Sequence, residues 1–86
     1  MGLSKGERKK LSKSDLSRIR EIGNKLKKIR REKGYTSYEN FAFDAHIPRM
    51  AVYRMEKGAA DFNFSTLLKI LDALNVKPKD FFKDLG

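Results

Sequence analysis

Apolar residues return along this chain at intervals of three and four, the spacing of helices, and no stretch alternates as a half-buried strand does. Ile19, Ile22, Leu26 and Ile29 make a stripe along one face of a first helix, which the pattern starts after Ser14 as N-cap and runs to about Lys33. Asp15 falls in its first turn and Gly34 stops it. Thr36-Ser37-Tyr38-Glu39 reads as a capping box opening a second helix. Ile47-Pro48 introduces a third, with Pro at its first position, where a missing N–H costs nothing. Asn63 is the expected cap of a fourth helix whose Leu67, Leu68, Leu71 and Leu74 point inward, with Asn75 left-handed just beyond it. Pro78 begins a short fifth helix carrying Phe81, Phe82 and Leu85. Residues 1–13 are rich in Lys, Gly and Ser without periodicity and are expected to be a disordered arm. The expectation is an all-α chain: an arm over 1–13 and one helical domain over 14–86.

Size and charge narrow this picture. The 86 residues suffice for one small core, and with no Cys neither a disulfide nor a thiolate metal site can staple it. Apolar runs reach only two or three residues, so neither a membrane span nor a secretory segment is expected, and the expected compartment is the cytoplasm. The net charge of +9 is lopsided. Residues 1–34 carry 13 Lys/Arg against 4 Asp/Glu, whereas residues 35–86 carry 7 of each. Clustered positive charge of this kind suits a polyanionic partner, either nucleic acid or an anionic surface.

The neutral part contains the most informative stretch, GYTSYENFAFDAHIPRMAVYRMEKG from Gly34 to Gly58. Two short helices meet there at a tight turn. Phe41, Ala42 and Ala45 face inward on the first, Ile47 closes the turn, and Val52 and Met55 face inward on the second, which Glu56-Lys57-Gly58 ends. This spacing resembles the helix-turn-helix of the Cro and phage-repressor-like DNA-binding family (the xenobiotic-response-element type). The segment Leu74 to Phe82 resembles the end of the same family's domain, so the likeness covers about residues 18–84. It implies a compact five-helix, lambda-repressor-like fold, with the helix-turn-helix at about 37–57. The main departure from the pattern lies in the turn: His46 stands where most members place Gly. His is among the residues that tolerate the left-handed conformation, so the turn remains feasible at some strain. A structural role is the simpler reading of this lone His, with a phosphate contact as the alternative. It has no partner ligands for a metal and no fixed nucleophile beside Asp44.

Helical angles separate core from surface on the third helix. At about 100° per residue, with Val52 at zero, Met55 falls near 300°, while Tyr53, Lys57, Met50 and Arg54 spread between about 100° and 200°. Arg49 sits near 60° in the first turn, where a side chain can reach past the helix end. A recognition helix presents its amino-terminal turns to base edges. Arg49, Met50, Tyr53 and Arg54 are therefore the candidate base readers: Arg bonds guanine in two places and Met packs on a thymine methyl. Candidate phosphate contacts are Tyr38, where family members commonly carry Gln, Lys57, and the basic residues Lys9, Lys10, Lys13, Arg18 and Lys25. Phe43 is expected to be exposed. Arg30 lies beside the stripe of the first helix and Glu56 beside that of the third. The resemblance implies that these two form a partly buried structural ion pair.

The expected function is sequence-specific binding of double-stranded DNA by a transcriptional regulator, a repressor, whose third helix enters the major groove, with a homodimer on two half-sites. A second reading is an antitoxin-type module that binds a toxin and represses its own promoter, Phe81, Phe82 and Leu85 offering apolar surface. A third, membrane-surface binding by the first helix, fits poorly: its apolar stripe spans only about 80° and carries no Trp or Phe. No catalytic residues, cofactor or metal ligands are expected, since no phosphate-binding Gly loop, metal cluster or activated nucleophile is present.

Overall fold

The computed structural model describes residues 12–59 and 63–83, which are all-helical. Five helices follow in order: α1 (Lys13–Glu32), α2 (Tyr38–Ala45), α3 (Arg49–Glu56), α4 (Phe64–Ala73) and α5 (Pro78–Phe82). None of them is long and apolar enough to cross a membrane.

The amino-terminal caps of α1, α2 and α3 differ from expectation by one or two residues. Ser12, not Ser14, caps α1: its side chain accepts from the Asp15 N–H, and the Asp15 carboxylate accepts from the Ser12 N–H. This reciprocal box uses Asp where Glu is usual, and it places Ser12 and Lys13 in the folded domain instead of the arm. The rest of the expected arm, residues 1–11, lies outside the described residues. Ser37, not Thr36, caps α2 through the Asn40 N–H, so Glu39 is one position too early to complete a box. Pro48 is the N-cap of α3 instead of its first helical residue, and no side chain caps that end. Asn63 caps α4 as expected, accepting from Ser65 and Thr66. Pro78 opens α5.

Helices α1 to α4 all end in the same way. Gly34, His46, Gly58 and Asn75 have φ of 100°, 59°, 78° and 61°. At each, two backbone N–H groups turn back to the last carbonyls; Tyr35 N donates to Arg30 O and Gly34 N to Arg31 O at the end of α1. These are Schellman closures, and a left-handed residue makes each possible. The turn between α2 and α3 has this form with His46 in place of Gly.

The core gathers Leu26 from α1, Phe41 and Ala42 from α2, Ile47 from the turn, Val52 and Met55 from α3, Leu67, Ile70, Leu71 and Leu74 from α4, and Phe81 from α5. Ile22 and Ile29 of the α1 stripe pack against it partly buried. Leu67, Leu71 and Leu74 point inward as expected, but Ile70 completes this face instead of Leu68, which lies about 100° round the helix from Leu67 and is exposed. Phe81 is 1% exposed and Phe82 packs against it edge to face, 5.1 Å between ring centres. Phe81 belongs to the core and Phe82 packs against it partly buried; Leu85 lies outside the described residues.

What fixes α3 in space is a backbone contact with α1. A Cβ built on Gly23 would lie 2.5 Å from the Met55 carbonyl oxygen and 2.7 Å from that of Glu56. Only hydrogen fits there. Gly58 makes a second close approach, its own Cβ position falling 2.9 Å from the Arg20 Cα. The carboxyl end of α3 thus seats on the middle of α1, leaving its amino-terminal turns away from this seam.

Candidate nucleic-acid interface

The outward side of α3 follows from which side is buried. Val52 and Met55 turn into the core, so Arg49, Met50, Tyr53 and Arg54 come to the surface, and all four are exposed. Arg49 stands in the first helical turn with its guanidinium 4.0 Å from the Glu39 carboxylate of α2, both side chains largely in solvent. A contact so long and so wet holds Arg49 weakly and leaves it available to another acceptor.

Tyr53 is more constrained than its exposure suggests. Its ring lies 5.2 Å from that of Tyr38 at the start of α2, tilted by 46°, and the Lys57 ammonium sits 5.6 Å from the Tyr53 ring centre. Tyr38, Tyr53 and Lys57 therefore form one group at the junction of α2 and α3. They border a shallow depression of about 360 Å³ whose rim also includes Lys27, Arg31, Thr36, Ser37 and Glu39. Arg30 and Glu56 form its floor and neutralise one another. The remaining charges are three cations, Lys27, Arg31 and Lys57, against the one carboxylate of Glu39. The amino-terminal N–H groups of α2 open beside this cationic rim, an arrangement that favours an anion.

Beneath the rim, Arg30 and Glu56 pair through two parallel hydrogen bonds. Nε donates to Oε2 at 2.7 Å and Nη2 to Oε1 at 3.0 Å. Nη1 donates to the Tyr35 carbonyl at 2.7 Å. The two side chains are 4% and 8% exposed. Tyr35 in turn places its ring edge on Phe41, 5.2 Å between centres. One guanidinium therefore ties α1, the α1–α2 loop and the end of α3 together.

The other basic candidates are dispersed. Lys25 is engaged elsewhere: its ammonium donates to the Phe81 carbonyl and lies 5.0 Å from the Phe81 ring. It satisfies an end carbonyl of α5 and stands apart from the group around Tyr38 and Tyr53. Lys13 and Arg18 occupy the early turns of α1; Arg18 precedes Arg30 by twelve residues, about 18 Å of helix. They are not part of the group around Tyr38 and Tyr53. Lys9 and Lys10 lie outside the described residues. Sequence reasoning missed Lys27 and Arg31, which do stand at the depression. A signal existed: Lys27 is three residues before Arg30 and so on the same side of α1. His46 is exposed in its turn, and Phe43 is exposed on α2.

Comparison with known sequences agrees with this geometry. The model of a family described as a Cro/C1-type HTH DNA-binding domain matches residues 25–84. The control protein C.BamHI of Bacillus amyloliquefaciens is 34% identical over 59 residues, 69% of this chain and 73% of its own length. The control protein C.MunI of a Mycoplasma species is 35% identical over 64 residues, 74% of this chain and 86% of its own. No solved structure gives a significant match.

Proposed function

The chain belongs to the Cro/C1-type helix-turn-helix DNA-binding family and is a DNA-binding transcriptional regulator; from that premise we propose that it reads duplex sequence by laying α3 in the major groove and acts as a repressor. The observation that carries the proposal is the division of α3 into a face locked in the core and an opposite face of Arg49, Met50, Tyr53 and Arg54 in solvent. Arg49 and Arg54 supply the forked donors that guanine O6 and N7 accept, and Met50 an apolar contact for a thymine methyl. Tyr53, its ring against Tyr38 and Lys57, offers a further donor on the same exposed face.

Backbone contacts set the register. One phosphate sits at the start of α2, where free N–H groups, the Tyr38 hydroxyl, Lys57, Lys27 and Arg31 converge. Lys13, Arg18 and the arm residues Lys9 and Lys10 add attraction over a longer stretch of duplex. The functional domain is residues 12–86, served by a basic arm before it, and two copies bind half-sites about one helical turn apart. Repression needs nothing further of the chain, because a domain filling the groove over a promoter blocks it by occupancy. The relatives named control proteins accord with a regulatory role. Selection from a random duplex library tests the reading directly. An enriched motif with two related halves is expected; an unenriched pool would overturn it.

A further inference from the structure

Tyr53 differs from its neighbours on the outer face of α3. It is 36% exposed, against 51% for Met50 and 69% for the Arg49 side chain. The buried face of this helix belongs to Val52 and Met55, and two residues outside that face adjoin the Tyr53 ring. Tyr38 of α2 approaches to 5.2 Å between ring centres, and the Lys57 ammonium, one turn along, lies 5.6 Å away. Tyr38 is itself well anchored. It is the first residue of α2, directly after the Ser37 cap, and its half-buried side chain packs against the core. Arg49 shows the opposite case, joined to α2 only by a solvent-exposed contact of 4.0 Å to Glu39.

We propose that Tyr38 is a positioning residue for Tyr53: its ring fixes the rotamer in which Tyr53 meets the bases. Sequence discrimination at one base pair then depends on a residue of α2. A tyrosine side chain that is mobile before binding loses rotamer freedom when it meets a base, and that loss weakens the contact. An aromatic neighbour at this distance removes the freedom beforehand, in the free protein, and adds its own attraction. A side chain held in place also cannot swing aside to accept a wrong base, so the hold sharpens discrimination as well as affinity. Tyr53 is the preorganised reader of the face, and Arg49, loosely held, is the adaptable one. The inference rests on the major-groove reading of α3. It adds to that reading a second role for Tyr38, in which the ring acts on Tyr53 while the hydroxyl acts on a phosphate.

Two substitutions in the full chain separate ring from hydroxyl. Tyr38→Phe keeps the ring and removes the donor, whereas Tyr38→Gln keeps a donor and removes the ring. Tyr38→Leu, which removes both, serves if Tyr38→Gln does not fold. Without DNA, NMR scalar couplings about the Tyr53 χ1 bond should report one rotamer in wild type and Tyr38→Phe, and averaging in Tyr38→Gln. With DNA, Kd is measured for the selected duplex and for versions changed at single base pairs. Tyr38→Gln should lose about 3–10-fold of discrimination at the base pair where Tyr53→Ala loses it, and Tyr38→Phe should keep it there. The double variant Tyr38→Gln, Tyr53→Ala should lose no more at that position than Tyr53→Ala alone. Any loss in Tyr38→Phe should be equal on every duplex, as for a phosphate contact. An averaged Tyr53 in wild type, a single rotamer kept in Tyr38→Gln, or additive losses in the double variant would overturn the proposal. A selected motif read with full discrimination by Tyr38→Gln would also overturn it and leave the major-groove reading intact. A wild type that binds every duplex alike would sink that reading, while the couplings alone would still decide whether Tyr38 fixes Tyr53.

Discussion

Replacing Glu56 with Gln keeps the shape of the side chain and removes its charge. The consequence should be large, because the Arg30 guanidinium would be left 4% exposed with only the Tyr35 carbonyl as a strong partner. Removing one member of a buried pair costs about 3–5 kcal/mol, mainly through the uncompensated charge. Gln can still accept one hydrogen bond, which places the expected loss near 3 kcal/mol. A domain of this size is held by about 4–13 kcal/mol in all. The loss is thus a large share of the total and should lower Tm by about 12–24 °C. Thermal melts followed at 222 nm measure it, with urea titrations giving the free energy at fixed temperature. The double variant Arg30→Met, Glu56→Leu should recover most of the loss, since a packed apolar pair replaces a packed ionic one. A Tm shift below about 4 °C for Glu56→Gln would refute the reasoning, for it would mean that water reaches the guanidinium. A double variant as unstable as the single would point to packing, not charge, as the cause.

Three further outcomes follow from the same geometry. Gly23→Ala should destabilise the fold by about 3 kcal/mol or more, read by urea denaturation, because the new methyl meets backbone oxygens that cannot swing aside. Lys25→Ala should lower stability, because it removes the donor to Phe81, yet leave the slope of log Kd against log salt on DNA unchanged. Deleting residues 1–11, which spares the Ser12 cap, should weaken binding to specific and random duplexes alike and flatten that slope. Retention of the full slope would show that the arm makes no phosphate contact.

The elements most legible in the sequence were those fixed by periodicity and by left-handed closures. Ile22, Leu26 and Ile29 of the α1 stripe, the inward Phe41, Ala42, Val52 and Met55, and Asn75 behind α4 lie where the sequence pattern put them. Caps were less legible. Ser12 and Ser14 are equally good residues for the task, and only the reach of Asp15 back to Ser12 decides between them. Gly23 was overlooked because its reason is tertiary: the carbonyls that exclude a side chain come from α3, about thirty residues on. Leu68 was misplaced because α4 carries apolar residues on more than one side, so period alone cannot choose its inner face. The basic residues were hardest. Charge composition announces a polyanion partner, but only the fold shows that Lys25 answers to α5 and that Lys27 and Arg31 stand beside the start of α2.

The central claim is that α3 distinguishes bases, and comparative titration tests it most directly. Kd is measured at one salt concentration for the selected duplex and for a scrambled one, using wild type, Arg49→Ala and Arg54→Ala. Wild type should prefer the selected duplex by about 10³-fold or more. Each Arg variant should lose about 1–3 kcal/mol of that preference at one base-pair position and little affinity for the scrambled sequence. Equal affinity of wild type for both duplexes, or equal losses on both for the two variants, would contradict the account.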